Sequence, residues 1–250
     1  MSGHSKWANI KHRKGKLDAQ RGASFTKAAR EIIVAVKQGG PEPEANFRLR
    51  LAIQSAKSMN MPNDSIARAI KRAVGDSDAD NYEEMVYEGY GPGGAAFIVE
   101  ATTNNRNRTA ADVRFLFSKN GGNLGETGCV GWMFDRKGIV EVPKSEYSGD
   151  EESLMEITLD AGAEDITEND DSFEIYCAPE NTDVLRKAVD AANVPMVAVK
   201  IGRIPQNMMV VDEEGAVALL KLYDALEEHD DVQSVYSNFE IPDEILEKLN

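Results

Sequence analysis

The stretch "GIVEVPKSEYSGDEESLMEITLDAGAEDITENDDSFEIYC", residues 138–177, decides the fold. Its apolar residues alternate at both ends and recur at helical spacing in the middle, and a second helix and strand follow up to residue 201. This order, βαββαβ, is that of a ferredoxin-like domain, which we place at residues 137–205. The predicted strands lie near Gly138–Val142, Ala163–Ile166, Phe173–Cys177 and Met196–Ile201, and the helices near Glu151–Ala161 and Thr182–Ala192.

The segments before and after this domain together supply the strands and helices of a second domain. Before it, "MVYEGYGPGGAAFIVEATT" (85–103) predicts two strands around a glycine-rich turn, "RTAADVRFLFSKNGG" (108–122) a helix capped by Thr109, and "CVGWMF" (129–134) a strand. After it, "MMVV" (208–211) and "VQSVYSNF" (232–239) predict strands that flank a helix over residues 214–228. We therefore predict one split α+β domain, residues 80–136 plus 206–245, with the ferredoxin-like domain inserted into it.

The composition and apolar spacing of residues 1–79 predict a basic arm followed by a bundle of three amphipathic helices. The first helix is capped by Ser24, the second begins near Pro43, and the third ends at Gly75. The fold class is therefore α+β and multidomain: an N-terminal three-helix bundle plus two α+β domains, one of them ferredoxin-like and inserted into the other. The basic residues that lie outside the apolar stripes, and are therefore expected to be exposed, are Lys27, Arg30, Arg48, Arg50, Lys57, Arg68, Lys71 and Arg72.

Charge is divided unevenly along the chain. The 250 residues carry a formal net charge of -15. Residues 1–72 nevertheless hold fifteen Lys and Arg against five acids, an excess of ten positive charges, so the other 178 residues sum to -25. Such asymmetry indicates a module that binds a polyanion, carried by an acidic body. A solvated basic face on a helical bundle is the alternative, although it explains the helices and not the arm.

The segment "HSKWANIKHRKGK", residues 4–16, concentrates this basic character without a single acid. Lys and Arg bind phosphates, and an aromatic ring such as that of Trp7 can stack on an unpaired base, so we predict a nucleic-acid partner. Arg106 and Arg108 precede a predicted helix, whose N-terminus favours anions, and form a second candidate contact. The candidate nucleic-acid-binding residues are Lys6, Trp7, Lys11, His12, Arg13, Lys14, Lys16, Arg21, Lys27, Arg30, Arg106 and Arg108.

Several other classes of protein are disfavoured. No membrane span or secretory signal is present, which indicates a soluble cytoplasmic protein; an organelle transit peptide is the alternative reading of the basic N-terminus. "GYGPGG" (89–94) fits GxGxxG but is followed by a strand, so we interpret it as a turn. We expect no enzymatic activity, cofactor, metal site or small-molecule substrate, because neither the two cysteines nor the three histidines form a known motif. The acidic runs at 150–152, 168–171 and 227–231 are interpreted as solvated surface.

Five long stretches, distributed over essentially the whole chain, carry a resemblance to a known family. They are "GHSKWANIKHRK", "GGPEPEANFRLRLAI", "YEGYGPGG", "NRNRTAADVR" and "SKNGGNLGETGCVGWMFDRKG". With them the chain resembles the YebC family, which includes the mitochondrial translational activator of cytochrome oxidase subunit one. Two positions depart from the family pattern, since Phe47 and Phe115 stand where it suggests Pro and His.

The resemblance implies three domains, no enzymatic activity and one of two functions. One is a ribosome-associated factor that relieves stalling during translation, notably at proline runs, and the other is DNA-binding transcriptional regulation. A flexible basic arm on an acidic body favours the ribosome, with ribosomal RNA as the target. The basic third helix, with Arg68, Lys71 and Arg72, keeps promoter DNA as the alternative, and a protein-interaction scaffold is a third possibility.

Overall fold

The computed structural model describes residues 19–75 and 81–249, with side chains from residue 24 onward. Three helices come first: α1 (Ala19–Gly39), α2 (Phe47–Ser58) and α3 (Asn63–Val74). Because α1 already includes residues 19–23, the predicted cap at Ser24 is wrong. The predicted end of the third helix at Gly75 is confirmed. The apolar stripes of the three helices form one core, with Ile32, Leu49, Ala56 and Ile66 among its buried members.

The second helix begins later than predicted because Asn46 caps it. The Asn46 carboxamide oxygen accepts a hydrogen bond from the backbone N–H of Leu49 at 3.0 Å. Its Nδ2 donates to the backbone carbonyls of Ala35 at 2.7 Å and Gly40 at 2.8 Å. Asn46 is buried, so one side chain both starts α2 and fastens it to the end of α1.

The remainder of the described chain alternates strands and helices. In chain order it contains β1 (Glu83–Tyr90), β2 (Ala96–Thr103), α4 (Arg106–Lys119), β3 (Asn123–Leu124), β4 (Phe134–Pro143), α5 (Glu151–Thr158), β5 (Ala163–Glu168), β6 (Ser172–Cys177), α6 (Thr182–Ala191), β7 (Ala198–Pro205), β8 (Met209–Val210), α7 (Glu213–Glu227), β9 (Val232–Ser237), β10 (Phe239–Glu240) and α8 (Asp243–Leu249).

The first sheet is assembled from two separated parts of the chain. Its strand order is β3-β1-β2-β9, and each neighbouring pair is antiparallel. Helices α4 and α7 cover one face, where Phe97, Phe117 and Leu219 are fully buried. The β1–β2 hairpin pairs Tyr90 with Ala96, which confirms that "GYGPGG" lies in a turn.

The second sheet has the strand order β5-β6-β4-β7 and is antiparallel throughout. With α5 and α6 packed on one face, this is the predicted ferredoxin-like arrangement. The α+β fold with N-terminal helices is thus confirmed. The domain boundaries stay a prediction, and β4 spans the one placed between residues 136 and 137.

Two predictions for the segment before β4 are wrong: the strand over residues 129–134 and the start of the helix that follows β2. Residues 129–134 do not form a strand, because residues 131–133 make a 3-10 turn and β4 begins only at Phe134. Helix α4 begins at Arg106 and not at Thr109, because the side chain of Asn105 caps it by accepting from the backbone N–H of Arg108 at 3.1 Å. Both errors arise where a side chain or turn takes over backbone hydrogen bonds.

Candidate nucleic-acid interface

The candidate residues fall into three groups. Lys27 and Arg30 lie in α1, and Arg106 and Arg108 lie in the first turn of α4. Arg21 belongs to α1, with its side chain outside the described part. Lys6, Trp7, Lys11, His12, Arg13, Lys14 and Lys16 lie outside the described residues.

Asp231 brings two of these cations together. This residue follows α7, precedes β9 and is only 3% exposed. Its Oδ1 accepts from Arg30 at 2.7 Å, and its Oδ2 accepts from Arg108 at 2.9 Å and from the Thr109 hydroxyl at 2.7 Å. Burial alone would raise the pKa of Asp231, but these hydrogen bonds and the two guanidinium charges hold the pKa below its usual value. The carboxylate therefore joins α1 to α4, and it lies 201 residues after Arg30 and 123 residues after Arg108 in the sequence.

Lys27 and Arg30 also bind the C-terminal end of α7. The Lys27 ammonium donates to the backbone carbonyl of Glu227, and Arg30 donates to that of Asp230 at 2.6 Å. Carbonyls at a helix C-terminus carry partial negative charge, so cations there are stabilising. One face of the bundle is thus docked on the split domain by its basic residues.

Two further arginines attach the second helix to the acidic body. Arg48 pairs with Glu31 at 2.8 Å and with Glu84 of β1 at 2.5 Å. Arg50 pairs with Asp183 of α6 at 3.2 Å. The exposure expected for Lys27, Arg30, Arg48 and Arg50 is therefore wrong, because the apolar periodicity identifies the bundle's own core but not the face that meets the other domains.

The exposed positive charge of the bundle lies chiefly on α3. Arg68, Lys71 and Arg72 are all exposed, and their spacing of i, i+3 and i+4 places them on one side of the helix. Within the described residues, Arg68 makes only local contacts, with the backbone carbonyl of Asp64 and the hydroxyl of Ser65. Arg68 can therefore turn outward to a phosphate without breaking a described contact between domains.

The first turn of α4 already has an anion beside it. Arg108 is bound to Asp231, and Arg106 forms a longer pair with Glu83 at 3.4 Å in which both side chains are mostly exposed. An external phosphate would compete with Asp231 for Arg108, whereas Arg106 faces solvent. Of these two arginines, Arg106 is therefore the better candidate for contacting an external phosphate.

Two acids that organise this region cannot be recognised from the sequence. The prediction that Asp231, the last residue of the run "EEHDD", is solvated surface is wrong, and nothing in that run marks its burial. Glu88, on β1, is 7% exposed and accepts hydrogen bonds from three backbone N–H groups of residues 128–131. A buried acid with several donors is visible only once the fold is known.

Within the described residues, no helix is long and apolar enough to cross a membrane. In the same ranges, no group of three or more His, Cys, Asp or Glu side chains is arranged to hold a metal ion.

Comparison with known proteins gives consistent matches along the chain. A family profile described as TACO1/YebC protein N-terminal domain matches residues 5–76, and one described as TACO1/YebC second and third domain matches residues 82–239. A "Probable transcriptional regulatory protein" of Natranaerobius thermophilus is 52% identical over 248 residues, covering 99% of both chains. Another of the same name, from Pelotomaculum thermopropionicum, is 53% identical over 97% of this chain and 100% of its own. The crystal structure of a conserved hypothetical protein from Aquifex aeolicus, 49% identical, superposes with a TM-score of 0.84 over 92% of this chain and 95% of that one.

Proposed function

Because the chain belongs to the TACO1/YebC family, we propose that it is a non-enzymatic, cytoplasmic regulator of gene expression that acts as a ribosome-associated translation factor. It relieves stalling, for example at proline runs, and binds ribosomal RNA through its basic N-terminus. The observation that carries the proposal is the division of charge: ten excess positive charges in residues 1–72 against -25 in the rest.

Ion pairs between the domains reduce the number of cations that can bind phosphates. Arg30, Arg48 and Arg50 are consumed in docking the bundle, so they do not supply phosphate contacts. The cations that remain for a polyanion include those of residues 4–16, Arg68 and Lys71 on α3, and Arg106 at the start of α4. Most of them belong to the N-terminal part, whereas the rest of the chain carries a net charge of -25 that disfavours phosphates.

The titratable groups of the described chain support a non-enzymatic function. His229 is committed to its neighbours: its Nδ1 accepts from the backbone N–H of Asp231 at 3.1 Å, and its Nε2 lies 3.3 Å from Asp112. Burial raises the pKa of both Cys129 and Cys177, which keeps the thiols protonated and weakly nucleophilic. None of these three groups resembles an activated nucleophile.

Co-sedimentation with ribosomes at two salt concentrations tests the proposal. The wild-type chain is compared with the triple variant Lys11→Glu, Arg13→Glu, Lys14→Glu. A matched control, Lys200→Glu, Lys221→Glu, Lys248→Glu, makes the same change of charge at exposed lysines of the acidic domains. We expect the wild type and the control to pellet with ribosomes at low salt and the triple variant to stay in the supernatant. Equal pelleting of all three proteins would refute the proposal.

Transcriptional regulation is the second candidate, favoured by the names of the relatives and by the basic residues on one side of α3. A helix that reads duplex DNA presents several side chains from one face to the major groove, and Arg68, Lys71 and Arg72 share such a face. In this case promoter-length duplex would compete with ribosomes for the protein. The variant Arg68→Glu, Lys71→Glu would lose duplex binding while the N-terminal triple variant kept it.

A further inference from the structure

Three carboxylates of the acidic body hold the helical bundle in place. Each accepts hydrogen bonds from one arginine of the bundle, and they come from three separate parts of the body: the first strand, the ferredoxin-like part and the turn before β9. We call them the docking acids. They are Glu84, which pairs with Arg48 at 2.5 Å, Asp183, which pairs with Arg50 at 3.2 Å, and Asp231, which pairs with Arg30 at 2.7 Å.

Charge contributes more to this contact than apolar burial does. Among the described residues, no cluster of buried apolar side chains includes members from both the bundle and the body. Leu51 of α2 packs on the core of the ferredoxin-like part, and Tyr82 packs on the core of the bundle, but both side chains are only partly buried. Domains whose interface is not large and hydrophobic are expected to move relative to one another.

Two of the three ion pairs are open to water. The side chains of Arg48 and Glu84 are 33% and 45% exposed, and those of Arg50 and Asp183 are 27% and 21% exposed. Pairs that are this accessible contribute little to stability and are screened by salt. The buried pair of Arg30 with Asp231 is therefore the strongest of the three, and the other two are within reach of a competing anion.

Docking leaves two of these arginines incompletely bonded. The Nε atoms of Arg30 and Arg50 are buried and have no hydrogen-bond acceptor within the part of the chain that the structure describes. A buried donor without an acceptor costs free energy. A phosphate group presents several charged oxygens and can accept two parallel hydrogen bonds from one guanidinium. Phosphates therefore offer these arginines a more complete set of acceptors than the docking acids do.

We propose that the contact between bundle and body is autoinhibitory and that RNA opens it, its phosphates displacing the docking acids from the arginines of the bundle. The inference rests on the proposed function and adds a regulation of the same N-terminal surface. The docked arrangement withholds Lys27, Arg30 and Arg50 from phosphates, and the open arrangement offers them.

The energetics of opening follow from this difference in accessible charge. A ligand shifts an equilibrium between two states only by its difference in affinity for them, and the additional cations give the open state the higher affinity for RNA. The measured affinity is then reduced by the fraction of molecules that are open before RNA arrives. Removing docking acids raises that fraction, so it should strengthen RNA binding.

The first test measures the affinity of the full chain for a labelled 12-nucleotide oligouridylate by fluorescence anisotropy. The two-acid variant, Glu84→Gln with Asp183→Asn, loses the two exposed pairs and keeps Asp231, whose loss would also destabilise the body. Its control, Glu244→Gln with Asp190→Asn, makes the same change of charge at exposed acids elsewhere on the body. We expect the two-acid variant to bind about threefold more tightly than the control, and a three-acid variant that adds Asp231→Asn to bind about tenfold more tightly.

The second test measures opening itself, which a general change of charge would not produce. Small-angle X-ray scattering gives the radius of gyration of each monomeric protein without RNA. The three-acid variant should be larger than the wild type and the control, and saturating inorganic polyphosphate should enlarge the wild type. If the three-acid variant fails to fold, as judged by circular dichroism, the two-acid variant decides.

Two results would overturn the autoinhibitory contact: a two-acid variant that binds oligouridylate no more tightly than its control, or a wild type whose radius of gyration does not change with polyphosphate. If the Lys11→Glu, Arg13→Glu, Lys14→Glu variant nevertheless loses oligouridylate, the proposed function stands. If the wild type and the variants all fail to bind oligouridylate, the autoinhibitory contact is overturned as well, and ribosome co-sedimentation decides the proposed function separately.

Discussion

Replacing Asp231 with Asn should loosen the bundle from the acidic body. The substitution preserves the shape of the side chain but removes the negative charge that Arg30 and Arg108 share. The side chains of Arg30 and Asp231 are 16% and 4% exposed, so this pair belongs to the buried class, in which removing one partner costs about 3–5 kcal/mol. Arg108 is 48% exposed, so its part is screened by water and adds about 0–1 kcal/mol.

We expect a loss at the lower end of that range, because the Asn side chain can still accept from the Thr109 hydroxyl. A loss of about 3 kcal/mol corresponds to a fall in Tm of about 6–12 °C for a chain of this size. Urea unfolding followed by circular dichroism measures the free energy. Glu228→Gln, an exposed acid of the same run, is the control and should change stability by less than about 0.5 kcal/mol.

A double-mutant cycle assigns the loss to the pair. If Arg30 and Asp231 interact as described, Asp231→Asn combined with Arg30→Met should destabilise the protein by at least about 1 kcal/mol less than the sum of the single changes. Additive effects would refute the reasoning. So would an Asp231→Asn protein as stable as the wild type.

Three further outcomes follow from the same contacts. Glu88→Gln should destabilise the protein by about 2–3 kcal/mol, because a buried charged acceptor of three N–H groups is lost. In a Trp7→Phe protein, in which Trp132 is the one tryptophan, the same change should shift the fluorescence emission of Trp132; unchanged emission would contradict the role of Glu88 in holding residues 128–131. The pKa values of Glu88 and Asp231 are lowered in the folded state, so the stability that their ionised carboxylates contribute is present above about pH 4.5 and is lost as the pH falls through their folded-state pKa values. Urea unfolding measured between pH 7 and pH 3 should therefore show the stability of the wild type falling more steeply than that of the Asp231→Asn protein. Asn46→Ala should cost about 1–2 kcal/mol by removing the cap of α2, measured by thermal unfolding, and Asn63→Ala, whose side chain caps no helix, should cost much less.

Periodicity was enough to predict the layout of the fold. The ferredoxin-like order, the split sheet and the three-helix bundle each follow from runs whose apolar spacing is close to 2 or 3.6 residues. The wrong strand over residues 129–134 shows where this reasoning fails. "CVGWMF" has the composition of a strand, but the carboxylate of Glu88, forty residues earlier, binds the backbone N–H groups that a ladder would need.

The contacts between the domains could not be predicted from the sequence either. Lys27, Arg30 and Arg108 look like phosphate ligands because basic residues on a helix are exposed unless something covers them. What covers Arg30 and restrains Arg108 is Asp231, and its burial depends on how α1, α4 and β9 come together. The basic segment 4–16 stays the strongest prediction from composition, since it needs no fold to explain its charge.

The salt dependence of ribosome binding tests the central claim most directly, which is that the basic N-terminus binds RNA phosphates. If about six cations contact phosphates of single-stranded RNA, a plot of the logarithm of the association constant against the logarithm of salt concentration should have a slope of about -4. The Lys11→Glu, Arg13→Glu, Lys14→Glu variant should bind more weakly and with a slope reduced by about half. A flat slope for the wild type, or the same slope for both proteins, would contradict the account.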